Sequence, residues 1–150
     1  MGKLEEAIQQ KEFIDPYHKA VVNLLFTHSY VVGYQNALLK PYDLSPEQYN
    51  VLRILRGQNG NPTTVSSIQE RMLNKMSNAS RLVEKLKTKG LVIREECPTD
   101  RRQVDVMISA EGLKLLEKLE TRIQDSNKYY IKLSESEVRN LNMLLDKLRG

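Results

Sequence analysis

The side chains best suited to chemistry in this sequence are cations, hydroxyls and amides gathered past its midpoint. Positions 71 to 102 hold nine Lys and Arg against four Asp and Glu, while the 150-residue chain nets only +4. On a helical wheel Ser77, Arg81, Glu84 and Thr88, flanked by Asn78, Ser80 and Lys85, oppose an apolar stripe of Ala79, Leu82, Val83 and Leu86. Short hydroxyl and amide side chains permit close approach to base edges and phosphates, and an arginine such as Arg81 reaches a guanine edge with two hydrogen bonds. Further on, Pro98-Thr99-Asp100-Arg101-Arg102 sets a carboxylate directly before two guanidinium groups. Asp100 is placed to pair with one of them and fix the loop, leaving the other for a narrow minor groove of negative potential. A solvated polar face and a solubilising charged turn are the plainer readings of the same residues.

Enzymatic chemistry finds little support. There is no phosphate-binding glycine loop, no nucleophile elbow, and no histidine beside a nucleophile with a third partner. His18 and His28 stand outside any metal-binding pattern, and the single cysteine, Cys97, excludes an internal disulfide and a thiolate zinc site. No cofactor or metal is expected. Cys97 reads as a small apolar strand residue, with a redox role open only if Arg101 or Arg102 lowers its pKa. No apolar run approaches the ~18 residues of a membrane span, and the first dozen residues are polar. Gly2 does not begin an acylation motif, because Glu6 stands where Ser or Thr is needed. A cytoplasmic protein without a membrane partner is expected.

These groups need elements to hold them. Residues 4–14 predict a short amphipathic helix. Asp15 as N-cap and Pro16 at the first helical position start a second, running to about Lys40 and apolar on several sides. Ser45, Pro46 and Gln48 announce a helix with a capping box, closed by Gly57–Pro62. Thr64 starts a short helix with Val65, Ile68 and Met72. After a turn near Asn74 a helix over Lys75–Lys89 ends at Gly90. The period then changes to two over 91–97 and 103–108, two strands joined by the loop 98–102. Ser109 opens a long helix with Leu113, Leu116, Leu119, Ile123 and Tyr130, and Ser134 with Glu137 caps the last. Helix, helix, turn, helix and hairpin is the order of a winged helix-turn-helix, mainly α with a small β-hairpin wing. The chain divides into an N-terminal helical dimerisation region (1–40), the winged domain (41–109) and C-terminal dimerisation helices (110–150), as one integrated unit.

Three stretches carry a family resemblance: LSPEQYNVLRIL (44–55), SRLVEKLKTKGLV (80–92) and DRRQVDVMISAEG (100–112). Together they resemble the DNA-binding core of the multiple-antibiotic-resistance regulator (MarR) family. The last is the most specific, joining Asp-Arg-Arg at the wing to a glycine four residues after Ile108. The resemblance implies a homodimeric transcriptional repressor on double-stranded DNA, often released by a small lipophilic or phenolic effector. It implies recognition-helix contacts at Ser77, Asn78, Ser80 and Arg81, wing contacts at Arg101 and Arg102, and a structural role for Asp100. The turn Met72-Leu73-Asn74-Lys75 lacks the glycine often found there, and Asn74 can take its left-handed conformation or cap the next helix.

From the residues themselves, Lys75, Lys85, Lys87 and Arg94 are expected to neutralise phosphates. Apolar stripes run over Leu116, Leu119, Ile123 and Tyr130 on the post-wing helix and over Val138, Leu141, Leu145 and Leu148 on the last, with a third over residues 1–40. They call for symmetric pairing, which sets two recognition helices about 34 Å apart on a palindromic operator. His28, Tyr30, Tyr34, Tyr49 and Arg53 are candidates for an effector pocket where the first long helix, the SPEQY helix and the post-wing helix meet; simple packing is the plainer role of the tyrosines. A winged-helix module that contacts protein without reading DNA is the alternative function.

Overall fold

A computed structural model describes residues 2–96 and 104–150. Its elements are α1 (Leu4–Ala7), α2 (Pro16–Leu39), a 3₁₀ turn (Lys40–Tyr42), α3 (Pro46–Arg56), β1 (Thr63–Thr64), α4 (Val65–Arg71), α5 (Ala79–Thr88), β2 (Val92–Glu96), β3 (Val104–Ile108), α6 (Ala110–Tyr130) and α7 (Glu135–Arg149). The architecture is a winged helix-turn-helix with long flanking helices, as the sequence predicts.

Most helix starts follow the side chains that announce them. The Asp15 carboxylate accepts from the His18 amide at 2.7 Å, with Pro16 at the first helical position. Capping boxes form at Ser45–Gln48 and Ser134–Glu137. Thr64 and Ser109 accept from the Ser67 and Gly112 amides. Two starts depart from expectation. The first helix is one turn, Leu4–Ala7, rather than 4–14, because Gln9 turns left-handed (φ 55°) and polar residues follow it. The helix expected from Lys75 begins at Ala79, since Asn78 rather than Asn74 supplies the cap.

The sheet has the order β1-β3-β2, all antiparallel, with Val92 opposite Ile108 and Thr63 opposite Val106. The two-residue β1 is an addition to the expected hairpin. The core joins Val51, Leu52 and Leu55 of α3, Ile68 of α4, Val83 and Leu86 of α5, Val106 of β3 and Leu116 and Leu119 of α6. All of these are at most 2% exposed. Arg56 of α3 bonds Glu120 of α6 at 2.6 Å, and that guanidinium holds the Glu120 carboxyl below the usual carboxylate range.

The end of α5 is fastened to the start of α6. Gly90 takes φ 71°, and the Gly90 and Leu91 amides return to the Lys87 and Leu86 carbonyls, closing the helix in a Schellman motif. The buried Ser109 hydroxyl donates to the Gly90 carbonyl at 2.7 Å. A Cβ on Gly112 would lie 2.3 Å from the Leu91 carbonyl oxygen and 2.8 Å from Ile108 Cγ1. Only a residue without a side chain fits there. Gly112→Ala is therefore expected to lose about 1–3 kcal/mol, the usual cost of overpacking, as measured by urea denaturation.

Candidate nucleic-acid interface

Helix α5 is strongly two-faced. Ala79, Val83 and Leu86 are buried, while Ser80, Arg81, Glu84, Lys85 and Thr88 are exposed on the other side. The Arg81 amide donates to the Asn78 side-chain oxygen at 3.0 Å, and the Ala79 amide donates to the Gln69 side chain of α4 at 2.9 Å. These bonds fix where the helix begins, and hence which side chains lead it. Ser80, Arg81 and Lys85 share the exposed face, with Asn78 exposed at its head. Ser77 does not join them: its hydroxyl is buried, without a hydrogen-bond partner among the described residues.

The cations are not all alike. Arg94 of β2 is bonded to Glu84 at 2.7 Å, across from the helix. Lys75 donates to the Glu70 carbonyl, and Lys89 pairs with Asp43 at 3.0 Å. Arg81, Lys85 and Lys87 have no such partner among the described residues. Asp100, Arg101, Arg102 and Cys97 lie outside the described residues. The strands that lead to them, β2 and β3, pair antiparallel from Val92 opposite Ile108 to Glu96 opposite Val104.

This arrangement has clear relatives. The family model for the MarR family matches residues 42–103. The transcriptional repressor IacR of Pseudomonas putida is 32% identical over 110 residues, or 73% of this chain. Those residues span 65% of that repressor's own length. A MarR transcription factor from Planctomyces limnophilus is 28% identical, with TM-score 0.69 over 90% of this chain and 98% of that one. An organohalide-sensing transcriptional regulator, solved with 2,4-dichlorophenol bound, is 20% identical, with TM-score 0.80 over 91% of this chain and 80% of that one. The chain is similar to MarR-family regulators over its winged core and shares their fold.

The five residues named for an effector pocket fall into separate groups. Tyr34 stacks on Tyr130 of α6 at 3.8 Å between ring centroids, and Tyr30 stacks on the same ring at 5.1 Å. The Tyr130 hydroxyl donates to the Tyr30 carbonyl at 3.2 Å, and burial between the two rings pushes its pKa up to about 12. Tyr49 instead lies under the Arg53 guanidinium, 5.9 Å from its ring centroid, and His28 is exposed on α2. A cavity of about 710 Å³ touches none of the five. It is a groove between α2, α3 and α5, with Lys40, Asp43, Gln48, Lys85 and Lys89 among the residues on its walls. A smaller one of about 150 Å³, beside Leu4 and Phe26, includes only Tyr30.

Tyr130 is the member the sequence reading missed. The four-residue spacing of Tyr30 and Tyr34 signals a shared helix face, but nothing local names the ring that covers it. The Glu84–Arg94 pair likewise joins a helix to a strand ten residues away and leaves no periodic trace. Because Asn78 caps α5, Asn78→Ala is expected to lower stability by about 0.5–2 kcal/mol in thermal melts. Asn78→Ser keeps an acceptor at that position and should stay within a few tenths of the parent.

Proposed function

We propose that this chain is a homodimeric transcriptional repressor that binds a palindromic operator through α5 and the wing and leaves it when a small lipophilic or phenolic molecule binds. The observation that carries the reading is the outward face of α5. Ser80, Arg81 and Lys85 stand exposed on a helix whose opposite side is locked into the core. A helix held in this way enters the ~12 Å major groove with its N-terminal residues leading, where Arg81 reaches base edges. Lys85 and Lys87, one turn further along, approach phosphate.

Support for pairing comes from uncovered apolar surface. Val21 and Leu25 of α2 are 56% and 66% exposed, and Leu144 and Leu148 of α7 are 52% and 64% exposed. No residue of α7 is buried, although it is a well-capped helix of 15 residues. Symmetric pairing would cover these faces and give the two α5 helices one spacing. For the effector, the Tyr30–Tyr34–Tyr130 stack offers an aromatic surface with the Tyr34 hydroxyl buried and unpartnered among the described residues. The dichlorophenol in the organohalide-sensing regulator is the kind of ligand such a surface accepts.

Two measurements test the reading. On duplexes selected from a random pool, Arg81→Ala should cost about 1–3 kcal/mol by fluorescence anisotropy and relax base preference. Lys85→Ala should weaken all sequences alike and reduce the salt slope by about one. Equal operator affinity of Arg81→Ala and the parent would remove the base contact. In sedimentation equilibrium the parent should show twice the chain mass, and the double variant Leu25→Glu/Leu148→Glu should move toward the monomer. A parent that sediments as a monomer at micromolar concentration would overturn the pairing.

A further inference from the structure

Immediately before α5 two large apolar side chains stand in solvent: Leu73 is 85% exposed and Met76 is 92% exposed. Their exposure does not come from a loose segment. The Leu73 amide donates to the Asn50 side chain of α3 at 2.9 Å, and the Met76 amide donates to the Asn74 side chain at 3.0 Å. The Ser77 amide returns to the Asn74 carbonyl at 3.1 Å, and Gln69 of α4 holds both the Lys75 carbonyl and the Ala79 amide. The turn is thus pinned to α3 and α4, and Met76 is held outward just ahead of the Asn78 cap.

The surroundings select the kind of molecule that covers these side chains. Arg71, Lys75 and Arg81, all exposed, flank the pair on three elements: the end of α4, the turn itself and the start of α5. An apolar protein surface would have to desolvate those cations, whereas a polyanion with methyl groups set between its charges satisfies both needs. The major groove of a thymine-containing duplex has that chemistry, with phosphates on its rims and C5-methyl groups on its floor. The Ser77 hydroxyl is buried and the Asn78 side chain is engaged in its capping bond, while Met76 beside them is exposed.

We infer that Met76, buttressed by Leu73, is a specificity-determining residue that packs on thymine methyl groups in the operator. This rests on the DNA-binding reading above. The two can fail separately. Anisotropy titrations would use the full chain and a duplex selected from a random pool, with each thymine replaced in turn by deoxyuridine, which lacks only the methyl. The parent should lose about fourfold in affinity per methyl removed at one or two positions of each half-site, the order expected for one buried methyl group. Met76→Ala should bind the thymine duplex as weakly as the parent binds the uracil one, and should no longer distinguish the two. Met76→Leu should keep the distinction. Since both side chains are exposed, the variants should melt with the parent, so that a loss reports on the contact.

Equal affinity of the parent for thymine and uracil at every position would overturn the inference while leaving DNA binding intact. So would a Met76→Ala variant that still discriminates fully. A Met76→Ala variant that changes the sedimenting mass and not the thymine preference would assign the patch to a second copy of the chain. Failure of the parent to bind any duplex in a salt-dependent way would remove the DNA-binding reading itself.

Discussion

The structure depends on the junction between the end of α5 and the start of α6. An isolated helix of ten residues is marginal in water, so α5 exists because the core and its neighbours hold it. Burial of Ala79, Val83 and Leu86 fixes its rotation, and the Gly90 turn fixes its end. The Ser109 hydroxyl on the Gly90 carbonyl and the bare Cα of Gly112 against Leu91 then fix its position relative to α6. Turning α5 about its axis would expose Val83 or bury Arg81, and both cost free energy. The exposed face is therefore aimed by the core, and α6 carries that aim into the long flanking helices.

Those helices have an unusual distribution of apolar surface. Among the described residues α2 buries only Leu39, and α7 buries none, yet both start with strong caps and carry regularly spaced leucines and valines. Helices of this kind gain most of their stability from packing rather than propensity. The winged core accounts for the lower half of α6, through Leu116, Leu119 and the Arg56–Glu120 pair. Its upper end meets α2 at the tyrosine stack. Uncovered area concentrates away from the winged core. On the proposed function, that division gives sequence reading to one end of the chain and pairing to the other.

Much of this was legible in the sequence because caps and periodicity are local. Asp15, Ser45, Thr64, Ser109 and Ser134 each accept the amide bond that their position before an apolar pattern announces. The early start assigned to α5 has an equally local cause. Met76 falls in step with Ala79, Val83 and Leu86, and so mimics one more turn of the buried stripe, while Asn74 imitates a cap. Only the tertiary bonds from Asn50 and Gln69 decide that 73–77 is a turn and that Met76 points out. For the site, the wheel found Ser80, Arg81 and Lys85 because they lie within the helix. It misplaced Ser77, which lies before the first helical residue, where helical spacing has no meaning. The separation of Tyr49 and Arg53 from Tyr30 and Tyr34 was likewise invisible, since it depends on how α3 and α6 pack.

The pairing of charges across this surface bears on how DNA would be read. Arg94, Lys75 and Lys89 are each engaged with an acceptor of the protein, so their charge is partly answered before any ligand arrives. Each phosphate neutralised contributes about 0.9 to the slope of log affinity against log salt. Arg81, Lys85 and Lys87 are the cations of α5 without a partner among the described residues, so on the DNA-binding proposal the described part of the chain offers few phosphate contacts. A reader so equipped gains less from non-specific attraction than the sequence charge of 71–102 suggests. On that proposal its discrimination would come from base edges and shape, where a bidentate arginine contributes about 1–3 kcal/mol. The Glu84–Arg94 bond acts in the same direction. It makes of Arg94 a brace between α5 and β2, giving up long-range attraction for a fixed placement of the helix against the strand.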